Sequence, residues 1–191
     1  MSVVALSGSP SANSRTAVLL RHVLSRLDER VACTEIVLRD LPAAALVRAK
    51  ANDPQIRRAR EQVAEARLVV IATPIYKASY SGLLKTFLDL LPQDALRDKT
   101  VLPLATGGSQ SHLLALDYAL RPVLAALGAR HILDSVYAVD TQFAPHAIHG
   151  HVAHDDVVQR IERALADGPI ALRPIAETTR IDSPRVIALA A

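Results

Sequence analysis

Three short stretches concentrate the side chains able to bind or react. The first, Gly8-Ser-Pro-Ser-Ala-Asn-Ser-Arg15, follows an apolar run and leads into a helical one. Ser9, Ser14 and Thr16 offer hydroxyls there, and Arg15 adds a positive charge. A loop that opens a helix also presents unpaired backbone N–H groups and the positive end of the helix dipole. The chemistry that suits this combination is phosphate binding. The spacing is neither G-x-G-x-x-G nor a Walker A sequence, which argues against NAD held in the Rossmann manner and against ATP. On these residues alone, an ordinary Ser/Pro turn before a capped helix competes with that reading. The second stretch, Ala72-Thr-Pro-Ile-Tyr-Lys-Ala-Ser-Tyr-Ser-Gly82, is small or polar between an apolar run and an amphipathic one. The third, Thr106-Gly-Gly-Ser-Gln-Ser111, has adjacent glycines whose backbone can approach a flat ligand and offer N–H groups to its carbonyls. None of the three carries a recognisable Ser-His-Asp set or paired carboxylates. Reactive chemistry here would belong to a bound cofactor, with the protein supplying orientation.

Two other groups of residues are weighed and set aside. His146, His149, His151 and His154 crowd beside Asp155 and Asp156, and metal sites are built from such residues. The segment reads as a loop, its spacing matches no known site and no Cys joins it, so it is taken as a solvated loop with no metal. Cys33 cannot form an intramolecular disulfide and reads as a small strand residue in a reducing compartment.

The elements that must position the three stretches follow from periodicity. Apolar runs at Ser2–Leu6, Val31–Leu38, Arg67–Ala72, Thr100–Ala105 and His131–Val139 read as five short strands. Helical spacing covers Thr16–Leu27, Gln55–Ala66, Leu83–Leu91, His112–Leu127 and Val152–Ala166, with residues 40–54 irregular. Arg57, Arg58 and Arg60 read as a solvated helix face. Pro103 sits awkwardly inside the fourth strand, where a bulge or strand end is expected. Pro122 lies inside a helix and would leave the Tyr118 carbonyl unpaired. That helix is therefore irregular at Tyr118, either a plain kink around a core aromatic or a π-type bulge. Gly128 is a suitable helix stop. Strands alternating with helices give an α/β, flavodoxin-like, doubly wound five-stranded parallel sheet of order 2-1-3-4-5. In that order the loops 7–15, 73–82 and 106–111 converge on one crevice, which fits a mononucleotide with a planar head such as FMN.

Composition sets the outer bounds. The 191 residues form one domain, placed at 1–168 with a tail at 169–191. Half of them are hydrophobic, yet there are two Phe, four Tyr and no Trp, so the core is aliphatic. A net charge of +3 and a pI near 9.3 fit an anionic small ligand at least as well as nucleic acid. The Lys and Arg are scattered without an aromatic platform, which argues against a dedicated nucleic-acid binder. No signal peptide and no apolar run long enough to span a membrane is found, so the expected location is cytoplasmic.

Strand, Gly8-Ser-Pro and Arg15 before a helix, then Ala72-Thr-Pro-Ile-Tyr-Lys through Lys85-Thr-Phe-Leu-Asp89, resembles the NADPH-dependent FMN reductase family. Leu90–Leu96, Val101–Ser109 and His112–Leu124 are similar to the branch serving alkanesulfonate utilisation. The resemblance spans residues 2 to 140 and weakens beyond. It implies association into dimers and tetramers and hydride transfer from NADPH to FMN, the reduced flavin leaving for a separate monooxygenase. Carried onto this chain, Ser9, Ser14, Arg15 and Thr16 hold the FMN phosphate. Pro74, Ile75, Tyr76 and Lys77 line the ribityl chain and ring, and Thr106, Gly107 and Gly108 meet the pyrimidine edge. Relatives often carry Arg at the position of Ser11, so the phosphate clamp falls more heavily on Arg15. The resemblance also gives Tyr118 a role: an inserted Tyr makes a π-helix at the subunit interface and accompanies flavin used as a substrate. The competing activities are a tightly FMN-bound quinone, azo or chromate reductase and a flavodoxin-type electron carrier, which is usually acidic. No residue is identifiable as a 2′-phosphate ligand that would choose NADPH over NADH.

Overall fold

The structure, a computed structural model, describes residues 2–147, 150–169, 172 and 173. Its centre is a parallel sheet whose inner strands are almost wholly buried, as a sheet covered on both sides requires. β1 (Ser2–Ser7) pairs with β2 (Ala32–Val37) on one side and with β3 (Leu68–Tyr76) on the other. β3 then pairs with β5 (Thr100–Gly107) in register Ile71↔Pro103 and Pro74↔Thr106. The chain moves left from β1 to β2 and returns to its right for β3, which puts the switch point between β1 and β3.

Helices cover the two faces. α1 (Arg15–Arg26) and α6 (Asp155–Ala166) pack on one side, where Leu19, Leu20, Val23 and Ile161 meet Val3, Val70 and Leu102. α2 (Ala43–Val47), α3 (Pro54–Glu65), α4 (Gly82–Leu88) and α5 (Arg121–Ala126) lie on the other, burying Ile56, Val63, Leu84, Phe87 and Leu124 against Leu6, Val69 and Ile71. Each such side chain contributes about 1.5–3 kcal/mol by leaving water. Local signals start these helices: Ser14, Asp53 and Ser81 each accept a first-turn backbone N–H, and Pro54 sits at the first position of α3.

The fifth strand differs from expectation, and Pro103 accounts for it. Instead of one run there are β6 (His131–Ile132) and β7 (Val136–Val139), both paired with β5. Leu133 N donates to Val101 O, so Val101 faces this neighbour, and Pro103, two residues on, faces it too. Pro103 has no N–H to give, and the neighbouring strand is interrupted between Ile132 and Val136, opposite it. Pro103 therefore lies inside a continuous β5, not at a bulge or strand end.

Four further expectations are corrected. Residues 40–54 hold the short helix α2 in place of irregular chain. α4 ends at Leu88 because Leu90 and Leu91 bond back to Phe87 and Leu88, three residues away. Arg57 and Arg58 are exposed, but Arg60 is half-buried and donates to Ala51 O. The expected histidine loop is an antiparallel hairpin, β8 (Phe143–His146) with β9 (Gly150–Ala153), and it displaces the start of the last helix from Val152 to Asp155. His149 lies outside the described residues. Of the tail, Leu172 and Arg173 return to the end of α1, where Arg173 Nε donates to Leu27 O; residues 174–191 lie outside the described residues. Among the described residues no helix is long and apolar enough to cross a membrane.

Candidate functional site

The carboxyl ends of β1, β3 and β5 lie side by side, so the three small-residue loops meet at one edge. They are tied together by specific bonds. Gly8 N donates to Ala72 O at 2.8 Å. Ser81 Oγ donates to Gly8 O at 2.6 Å and accepts from Leu84 N, so one buried hydroxyl both caps α4 and anchors the first loop. Thr16 and Thr106 hydroxyls are 2.6 Å apart and buried, joining the first loop to the third.

At the first loop, Ser14 caps α1 through Ala17 N, and the buried Ser9 hydroxyl accepts from Ser11 N. Arg15 stands at the first position of α1 and is half-exposed. Its Nη1 lies 3.2 Å from Asp140 Oδ1, whereas its Nε is buried with no hydrogen-bond partner. A buried donor without an acceptor costs about 1–3 kcal/mol. An anion oxygen at this corner would supply the acceptor, so the donor set fits a phosphate. Arg39, which follows β2, brings Nη1 to 3.5 Å of Ser11 O and so places a second cation beside the first loop.

The middle loop is tighter than a polar loop. β3 runs on to Tyr76 and turns back through β4 (Ser79–Tyr80), with Tyr76↔Ser79 and Ile75↔Tyr80 in register. The two turn residues, Lys77 and Ala78, both have left-handed φ, 49° and 63°. A two-residue hairpin demands this, and Asn-Gly is its usual sequence. With side chains in both positions the turn costs on the order of 1–2 kcal/mol per residue. Ser81 N bonded to Thr73 Oγ1 holds the base of the hairpin. The side chains of Pro74 and Ile75 are buried, leaving Tyr76, 51% exposed, and Lys77 facing solvent.

Tyr118 meets the tip of that hairpin. Leu116–Leu120 is one π-helical turn, flanked by a 3₁₀ turn at Gln110–His112 and by α5, in place of one helix from His112 to Leu127. Arg121 N bonds to Leu116 O, five residues back. The widened turn and Pro122 occur together, because the Pro has no N–H to continue an α-helical ladder. Tyr118 is 56% exposed, so it is not a core aromatic. Its hydroxyl donates to Ala78 O at 2.9 Å, linking the π-turn to the strained hairpin. Leu113 and Leu114 are also exposed beside it in sequence.

The glycines of the third loop divide the work. A Cβ on Gly107 would stand 2.2 Å from the Tyr137 hydroxyl, so Gly107 is demanded by packing inside the protein. Tyr137 Oη donates to Ser109 O at 2.6 Å, and burial, with Asp140 nearby, raises its pKa. Gly108 is open, its nearest such neighbour being Asp140 Oδ2 at 3.9 Å, and it is the glycine available to a ligand. Asp140, Arg39, Ser81 and Tyr137 were not among the sequence candidates. Cys33 is half-buried away from these loops, its thiol pushed up to about 11 by burial and then by Glu35, which leaves it unreactive.

Comparison with known proteins points to one family. The profile of a family described as NADPH-dependent FMN reductase matches residues 1–144. An FMN reductase (NADPH) of Pseudomonas putida is 48% identical over 145 residues, 75% of this chain and 74% of that protein. An NADH-dependent FMN reductase, SfnF, of Pseudomonas fluorescens is 34% identical over 92% of this chain and 96% of its own. Among solved structures, the apo form of an NADH:FMN oxidoreductase (EMOB) superposes with a TM-score of 0.75 at 45% identity, covering 86% of each chain.

Proposed function

The chain belongs to the NADPH-dependent FMN reductase family, and on that premise we propose that it reduces FMN with NADPH and releases the reduced flavin to a separate, sulfonate-type monooxygenase. FMN, when bound, supplies the hydride acceptor and NADPH the donor. The protein's part is placement. Arg15, Ser9, Ser14 and the N-terminus of α1 bind the phosphate, and the buried Arg15 Nε donor supports that assignment. Thr16, buried and hydrogen-bonded to Thr106, ties the phosphate loop to the third loop. Tyr76, Lys77 and the backbone of Pro74 and Ile75 form the wall beside the ribityl chain and ring. Gly108, with the backbone of Thr106 and Gly107, meets the pyrimidine edge, where N–H donors stabilise developing negative charge. No side-chain acid or base is assigned, because stacking and proximity supply the catalysis.

The observation that carries the release step is the π-turn at Leu116–Leu120, whose exposed Tyr118 holds the hairpin tip at Ala78. The bond from Tyr118 keeps the hairpin tip in the arrangement from which flavin leaves, and without it the wall settles onto bound FMN. Exposed Leu113, Leu114 and Tyr118 support association of copies through this region, as a dimer or tetramer. The half-buried thiol of Cys33 fits the cytoplasm.

The test is NADPH oxidation by desalted protein with added FMN, FAD or riboflavin. The reading expects colourless protein whose rate saturates with added FMN. Protein that stays yellow through desalting and needs a quinone or azo acceptor would instead be a holo-flavoprotein reductase, and no NADPH oxidation with FMN would favour an electron carrier.

A further inference from the structure

Resting on the reading of Arg15 as phosphate clamp, we propose that Asp140 is a built-in counter-charge that competes with the flavin phosphate for Arg15 and keeps FMN exchangeable. Asp140 follows the last residue of β7, Val139, which pairs with Gly107 at the end of β5. From there its carboxylate reaches two of the converging loops at once. Oδ1 is 3.2 Å from Arg15 Nη1, and Oδ2 is 3.9 Å from the place a Cβ would take on Gly108. Arg15 therefore has one nitrogen engaged by a carboxylate and another, Nε, buried without a partner. A phosphate monoester entering this corner meets a guanidinium already engaged at Nη1 by a carboxylate. It must displace Asp140 or lie beside its negative charge, and either course weakens binding of a dianion. The pair is half-exposed, 37% and 45% at the two side chains, so water and salt soften the competition without removing it. A site built to hold flavin permanently gains nothing from such a carboxylate. A site that gives its flavin away gains a faster release. The effect falls most heavily on the phosphate dianion, so it separates FMN from riboflavin, which lacks that group.

The experiment titrates FMN and riboflavin, each by quenching of flavin fluorescence, against desalted wild type, Asp140→Asn, Asp140→Ala and Arg15→Gln. Both Asp140 variants are expected to tighten FMN by roughly three- to tenfold, more at low salt, and to leave riboflavin within about twofold. Arg15→Gln is expected to loosen FMN and not riboflavin. If Arg15→Gln loosens FMN while the Asp140 variants leave it unchanged or weaken it, Asp140 orients Arg15 and the counter-charge proposal is wrong with the clamp intact. If Arg15→Gln leaves FMN unchanged, the clamp reading falls and takes the proposal with it. Riboflavin affinity moving in step with FMN in the Asp140 variants points to disruption of the loop and also overturns the proposal.

Discussion

Gly107→Ala tests whether the third loop is shaped by packing inside the protein. The added Cβ would stand 2.2 Å from Tyr137 Oη, 3.0 Å from Cζ and 3.3 Å from Cε2. Gly107 does not have positive φ, so the backbone itself accepts alanine and the cost is the contact. Tyr137 is 3% exposed and cannot swing into solvent. Relieving the clash moves the ring and breaks its bond to Ser109 O. Overpacking costs about 1–3 kcal/mol and the lost hydrogen bond about 1 kcal/mol, so Gly107→Ala should lose about 3 kcal/mol. Tyr137→Phe alone should lose about 1 kcal/mol. In the double variant the closest approach becomes the 3.0 Å contact to Cζ, and the loss should be about 2 kcal/mol, well below the sum of roughly 4. Urea unfolding measures all three, with m held constant as the check that the denatured state is unchanged. Additive losses would refute the reasoning, because they would mean that Gly107 and the Tyr137 hydroxyl do not meet.

Two other perturbations reach the release step and the helix layer. Tyr118→Ala removes the hydroxyl that bonds Ala78 O; loss of about 1 kcal/mol there should shift FMN retention by about fivefold, so the variant should co-purify with FMN and turn over more slowly, read by the flavin absorbance of the purified protein. His22 lies 2.9 Å from Glu162 Oε1, an oxygen also bonded by Arg26 Nε, and burial outweighs that carboxylate to hold the imidazole below its ordinary value of 6.5. The unfolded chain therefore takes up the proton first, so the contribution of His22 is present above about pH 6.5 and fades as pH falls through and below it. Melting temperatures at about pH 7.5 and 5.5 should drop further for wild type than for His22→Gln.

What could be read from the chain was whatever local chemistry decides. Unbroken apolar runs marked β1, β3 and β5, because strands covered on both faces need them. The irregular helix at Tyr118 was legible because Pro122 removes a donor whatever the surroundings. The choice between kink and π-turn was not, since neighbouring packing makes it. The Lys77–Ala78 hairpin carried no Gly or Asn signal; register with β3 and the bond from Tyr118 impose it on residues that resist it. The hairpin at 143–153 was hidden for a related reason, its strands being short and rich in His, Pro and Ala. The break in the fifth strand needed knowledge of which edge Pro103 faces, and that follows from sheet register. Asp140 is 125 residues from Arg15 in the chain, and the Thr16–Thr106 pair is separated by 90. Contacts of that span have no local trace, which is why Arg15 was anticipated and Asp140 was not.

The central claim is that flavin is a substrate that comes and goes. Its most direct measurement is anaerobic: desalted protein is mixed with NADPH and a large excess of FMN, and the solution is then ultrafiltered. Release predicts that many FMN equivalents per chain are reduced and pass the membrane as reduced flavin. NADPH oxidation that stops near one equivalent per chain, with the reduced flavin retained on the protein, would contradict it.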